Sequence, residues 1–199
     1  MKIAQEKRLA FQNDKYHALP VPNFGDPYAR VLIVGLAPAA HGANRTGRMF
    51  TGDKSGEWLY RALYKAGLAN QASSYHINDG LALHDCLITA VCRCAPPQNK
   101  PLPNEIKNCS AFLKQTLDQA PWEVALALGG VAWEQLAKNL ELKLPAFSHG
   151  AQLITSKQKL LIASYHPSQQ NTFTKKLTEK MFDDIFIKIN GHLKKSKKV

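Results

Sequence analysis

Histidine, guanidinium and small residues gather in two short stretches of this chain. The first runs Gly35-Leu36-Ala37-Pro38-Ala39-Ala40-His41-Gly42-Ala43-Asn44-Arg45-Thr46-Gly47-Arg48-Met49-Phe50-Thr51-Gly52-Asp53. Small residues let a ligand come close to the backbone. His41, Asn44, Arg45 and Arg48 add polar and cationic groups, and Phe50 offers a flat apolar face. The stretch has neither the Gly-Lys-Ser/Thr ending of a P-loop nor the glycine spacing of a dinucleotide-binding turn. The second stretch is Ser164-Tyr165-His166-Pro167-Ser168-Gln169-Gln170-Asn171-Thr172. An imidazole there can donate a hydrogen bond to a developing anion. Ser168, Gln169 and Asn171 suit phosphate oxygens or base edges. Standing alone, such a histidine is more often a satisfied structural group, so its weight depends on what the fold places opposite it.

Both stretches follow strand-like runs. Val31–Leu36, Leu87–Val91, Glu123–Leu128 and Leu160–Ala163 are short, apolar and β-branched, the signature of buried parallel strands. Helical periodicity predicts helices over about Gly56–Ala66, with Trp58, Leu59, Ala62, Leu63 and Ala66 on one stripe, and over Asn104–Leu117. Further helices are predicted from Gly129-Gly130 to about Lys138 and over about Lys175–Leu193. This alternation predicts a three-layer α/β/α sandwich with a mainly parallel central sheet, and ligands in such sheets bind beyond the carboxyl ends of the strands. Those ends carry the loops Gly35–Phe50, Cys92–Pro101 and Tyr165–Asn171.

The 199 residues suit a single domain, with about 194–199 expected as a disordered basic tail. The formal net charge is +11, and four lysines in the last six residues account for only part of the excess. A surplus of this size favours a polyanionic partner, nucleic acid above all. Arg45, Arg48, Lys54, Lys100, Lys175 and Lys176 fall on or near the loops, where phosphate contacts would make binding salt-sensitive. No apolar run approaches the roughly 20 residues of a membrane span, and the N-terminus lacks the apolar core of a secretory signal. A cytoplasmic protein with no membrane partner is the expectation, its cysteines free thiols or metal ligands rather than disulfides.

Together, Gly-Leu-Ala-Pro, Asn-Arg-Thr-Gly-Arg-Met-Phe-Thr-Gly-Asp, Arg-Cys-Ala-Pro-Pro-x-Asn-Lys-Pro and His-Pro-Ser-x-x-Asn resemble the family-5 uracil-DNA glycosylases from about Lys7 to Phe186. The resemblance implies a monomeric, monofunctional enzyme of base-excision repair that flips a damaged base out of double-stranded DNA and cuts its N-glycosidic bond. It assigns His166 to the departing base, Phe50 to stacking, Gly35, Leu36 and Ala37 to the base pocket, and Asn171 to holding base or strand beside His166. Arg45, Arg48, Ser168 and Gln169 would contact DNA. Ala37 stands where many relatives carry an acid or amide that positions the attacking water. That role would pass to Asn44, with His41 second. Asp53 and Asp85 are the nearest acidic alternatives, read here as a helix cap and a solvated loop charge. Ala90 replaces an asparagine that reads uracil in some relatives, so hypoxanthine is an expected second substrate.

The family also binds a 4Fe-4S cluster through a pair matching Cys94 and Cys109 plus cysteines nearer the N-terminus. This chain has four cysteines and none before Cys86. A shortened N-terminus would explain this, leaving either no cluster or a makeshift one using Cys92 or Cys86. Two other functions fit the same residues: a catalytically weakened DNA-binding relative, and a hydrolase of free nucleosides.

Overall fold

The computed structural model describes residues 5–196. Among them a six-stranded sheet runs β1-β3-β2-β4-β6-β5. Its four central strands are β2 (Val31–Gly35), β3 (Cys86–Ala90), β4 (Val124–Leu128) and β6 (Leu160–Ser164), all parallel. Every residue of these four is buried, which explains their continuous apolar runs. Alternate side chains feed two cores. Val31, Ile33, Ile88, Leu126 and Ile162 point to one face, and Leu32, Val34, Leu87, Ala127 and Leu161 to the other. Helices α2 (Lys54–Lys65) and α6 (Glu179–Ser196) cover the first face, and α3 (Pro103–Gln119) and α4 (Gly130–Leu140) the second. The expected three-layer α/β/α sandwich is what forms.

The departures from expectation are local. Two edge strands, β1 (Phe24–Gly25) and β5 (Gln152–Ile154), pair antiparallel and are too short to register as apolar runs. A one-turn helix, α1 (Ala43–Thr46), interrupts the first loop. On α2 the buried stripe gains Tyr60, whose phenol donates to the Met49 carbonyl at 2.6 Å, while Trp58 packs half-buried against the same core. The final helix expected over about Lys175–Leu193 is α6, which starts later, at Glu179, and an unexpected short helix, α5 (Gln169–Phe173), precedes it, with Lys175 at φ +55 between them. Residues Lys194–Ser196 belong to α6 and not to a disordered tail, and 197–199 lie outside the described residues.

Register decides where the loops meet. Gly35 pairs with Ala90, Val34 with Ala127 and Leu128 with Ser164, so the carboxyl ends of all four parallel strands stop at one level. From β2 the chain passes to β3 on one side, and from β3 it crosses back past β2 to β4 on the other. That is the crevice where open α/β sheets bind ligands.

Candidate active site

At those strand ends a cavity of about 40 Å³ is lined by Gly35, Ala37, Phe50, Asp53, Ala90 and His166, among others. It adjoins a groove of about 760 Å³ that carries His41, Arg45, Lys54, Asn99, Ser168 and Gln169. Ala39, Asp53 and Ser55 line both.

Phe50 reaches the cavity through strained backbone. It is a non-glycine residue at φ +54, a conformation costing on the order of 1–2 kcal/mol. The strain persists because the surroundings leave no alternative. A Cβ on Gly35 would lie 3.0 Å from the Phe50 ring, and one on Gly56 would lie 1.8 Å from the Phe50 carbonyl oxygen. Two residues before it in the same loop, Arg48 is buried and donates to the Thr51 hydroxyl at 2.8 Å, the Ser74 hydroxyl at 3.1 Å and the Asp79 carboxylate at 2.7 Å. Burial opposes ionisation of Asp79, yet Arg48 and the Leu81 and Tyr75 N–H groups hold its carboxyl far below the usual range. Arg48 therefore anchors the Phe50 loop and has no face left for a DNA phosphate, contrary to the sequence expectation.

His166 stacks on Phe50, with ring centroids 5.8 Å apart and planes 28° from parallel. Burial lowers its pKa to about 4, so the imidazole is neutral and carries one N–H at neutral pH. Its turn is clamped from two sides. Asn171 donates to the His166 carbonyl at 2.9 Å. His149, which sequence reasoning missed, accepts from the Tyr165 N–H at 3.3 Å and, through Nε2–H, donates to the Met181 carbonyl at 3.2 Å. A lone histidine between Ser148 and Gly150 gives no signal of that role.

Several expected residues stand elsewhere. Asn44 is fully buried, donates to the Ala40 carbonyl at 3.2 Å and is absent from the cavity lining. Leu36 contributes its carbonyl to the Cys92 N–H at 2.9 Å and does not line the cavity. His41 lies in the groove with Nδ1 2.8 Å from the Tyr16 hydroxyl, and burial lowers its pKa. Arg45 also lines the groove, but it pairs with Asp14 at 2.8 Å and lies 4.1 Å from the Phe11 ring centroid, tethering the N-terminal segment. Asp85 is no free charge: it pairs with Arg30 at the opposite end of the sheet. Asp53 does cap α2, accepting from the Gly56 N–H at 2.9 Å, and it also faces the cavity.

A model of the uracil DNA glycosylase superfamily matches residues 22–190. A type-5 uracil-DNA glycosylase of Mycobacterium leprae is 48% identical, the match covering 93% of this chain and 83% of that protein. One from Thermus thermophilus is 46% identical over 91% of this chain and 84% of its own length. This chain belongs to the type-5 uracil-DNA glycosylases. A type-4 member from Archaeoglobus fulgidus is more distant, at 27% identity over 74% of this chain.

For this type-5 chain the cysteines are informative. Cys92 and Cys109 lie within hydrogen-bonding reach, with Cys94 beside Cys109. Burial, reinforced by its neighbours, raises the Cys92 thiol pKa. Cys86 is fully buried at the start of β3, in the other core, about 20 Å from Cys92 along extended chain. A four-cysteine iron–sulfur site needs four thiolates at one place, and the cysteines of this chain bring three. Among the described residues no group of three or more His, Cys, Asp or Glu side chains is arranged to hold a metal ion. The described cysteines do not by themselves complete a four-thiolate set. Among those residues, too, no helix is long and apolar enough to cross a membrane.

Proposed function

We propose that this chain hydrolyses the N-glycosidic bond of uracil in DNA and so begins base-excision repair. The observation that carries this reading is the cavity that joins a neutral imidazole, His166, to an aromatic face, Phe50, and to the Gly35–Ala37 turn. Breaking the bond sends its electron pair onto the base and leaves an oxocarbenium-like sugar. A neutral N–H from His166 stabilises the departing anion without first surrendering a proton, as an oxyanion-hole donor does. Phe50 stacks on the base, and the waters that a cavity of about 40 Å³ can hold are displaced as the rings part to admit it.

Ala37 and Ala90 line the cavity with methyl groups where a strict uracil reader would place polar side chains. That supports a broader substrate range, including hypoxanthine. The groove supports binding of the damaged duplex through Ser168, Gln169 and the exposed Lys54. One chain supplies every residue of the site, which supports action as a monomer, and we place it in the cytoplasm with its DNA. The test is single-turnover base release from duplexes carrying uracil or hypoxanthine. His166→Ala should slow release by about 10²–10³-fold with little change in DNA affinity. Absence of base release by the parent on both duplexes would leave only the DNA-binding reading.

A further inference from the structure

At the edge of the sheet, between β1 and α3, lies a second pocket of about 480 Å³. It shares no residue with the cavity or the groove of the active site. Its size falls among those of small-molecule sites, about 300–1,000 Å³. Arg93, from the Arg-Cys-Ala-Pro-Pro motif, forms part of its wall and takes no part in the chemistry above.

The other arginines that the fold encloses each have a carboxylate: Arg30 pairs with Asp85, Arg45 with Asp14, Arg48 with Asp79 and Arg61 with Asp183. Arg93 is more than nine-tenths buried, and among the described residues no carboxylate pairs with it. Its Nη1 donates to the Val21 carbonyl at 3.2 Å, and its Nη2 reaches the Thr116 hydroxyl only at 3.5 Å. Its Nε has no partner. Asn23 donates to the same hydroxyl at 3.1 Å and leaves its own Oδ1 without a donor. The chain thus leaves this polar wall unsatisfied. A buried charge without a counter-ion is costly to hold, and a guanidinium suits the oxygens of a carboxylate or a phosphate. Beside it stand flat apolar faces. The Phe112 ring centroid is 5.9 Å from Arg93 Cζ, and Phe112 and Tyr28 are exposed on the pocket wall.

We propose that this pocket is a second ligand site, built for a small aromatic anion. The carboxylate or phosphate of the ligand supplies the charge that Arg93 lacks, and its ring packs against Phe112 and Tyr28. The site stands apart from the glycosylase reading, because it uses none of the residues that serve base release.

The experiment is fluorine NMR of the full chain with para-fluorobenzoate and with para-fluorophenyl phosphate, and with neutral para-fluorobenzyl alcohol as the control. A saturating undamaged duplex keeps the active-site groove occupied throughout. The expected result is saturable binding of at least one anion and none of the alcohol, and the tighter anion identifies carboxylate or phosphate as the preferred group. The Arg93 Nε–H resonance of the parent should shift with the same midpoint. Arg93→Met should weaken binding about tenfold or more. Thr116→Asp places a carboxylate beside Nη2, so it should raise the melting temperature and weaken binding by a similar factor. No saturable binding of either anion, displacement of the probe by the duplex, an unmoved Nε–H resonance or equal affinity in Arg93→Met would each overturn the proposal. Should Arg93→Met fail to fold, parent-like binding by Thr116→Asp overturns it. Base release is measured on the same samples. A parent that binds the anion but releases no base would refute the glycosylase reading alone, and one that releases base but binds no anion would refute this proposal alone.

Discussion

The lowered pKa of His166 makes stability depend on pH in a way that isolates one side chain. In the unfolded chain its imidazole titrates near 6.5, and in the folded protein near 4. Between those values the unfolded chain binds a proton that the folded protein refuses, so folding is opposed as pH falls. The cost is absent well above pH 6.5, reaches about 2 kcal/mol at pH 5, and levels off near 3 kcal/mol below pH 4, at about 1.4 kcal/mol per pH unit of difference. Urea unfolding of the parent and of His166→Gln at a series of pH values between 7.5 and 4.5 measures it. The other titrating groups, among them His41, His149 and Asp79, are common to both proteins and cancel in the comparison. The parent should lose about 2 kcal/mol relative to the variant between pH 7.5 and 5. Parallel curves, or an imidazole NMR titration with a midpoint near 6.5, would show that the ring is not held neutral and would remove the basis for a neutral donor.

Arg48→Met should destabilise the fold by about 3–5 kcal/mol, because it strands the Asp79 carboxylate in the interior. Chemical denaturation checks this, and a loss below 1 kcal/mol would show that the network is not tightly held. Gly35→Ala puts a methyl group 3.0 Å from the Phe50 ring, closer than the ordinary contact of about 3.5–4.0 Å. The ring should shift by about half an ångström or more, at about 1–3 kcal/mol of stability, and base release should slow at least tenfold in a single-turnover assay. An unchanged rate would mean that Phe50 placement is not critical.

The central strands were legible because burial on both faces demands an unbroken apolar run, and Val31–Gly35 or Leu160–Ser164 answer to nothing else. The ordered motifs that carry His166 and Phe50 were legible in sequence, and the structure stacks the two rings at one cavity. Arg48 was misread because a guanidinium in a polar loop looks alike in sequence whether it faces DNA or a buried carboxylate. The partner that settles the matter, Asp79, lies 31 residues away. Asn44 was misread for a related reason: one turn of helix, α1, rotates it away from the cavity, and four residues are too few to announce a helix.

By itself, then, the order of residues determined the layered architecture, the loops that bear chemistry and the family, since these follow from local periodicity and contiguous motifs. Only the assembled chain decided which polar groups share a cavity. Strand register brought Gly35, Ala90 and His166 to one level. Enclosure then made that imidazole neutral, and the absence of a side chain at Gly42 left room for the Asp53 carboxylate beside it. Those outcomes depend on distances between segments remote in sequence, and no local pattern encodes them.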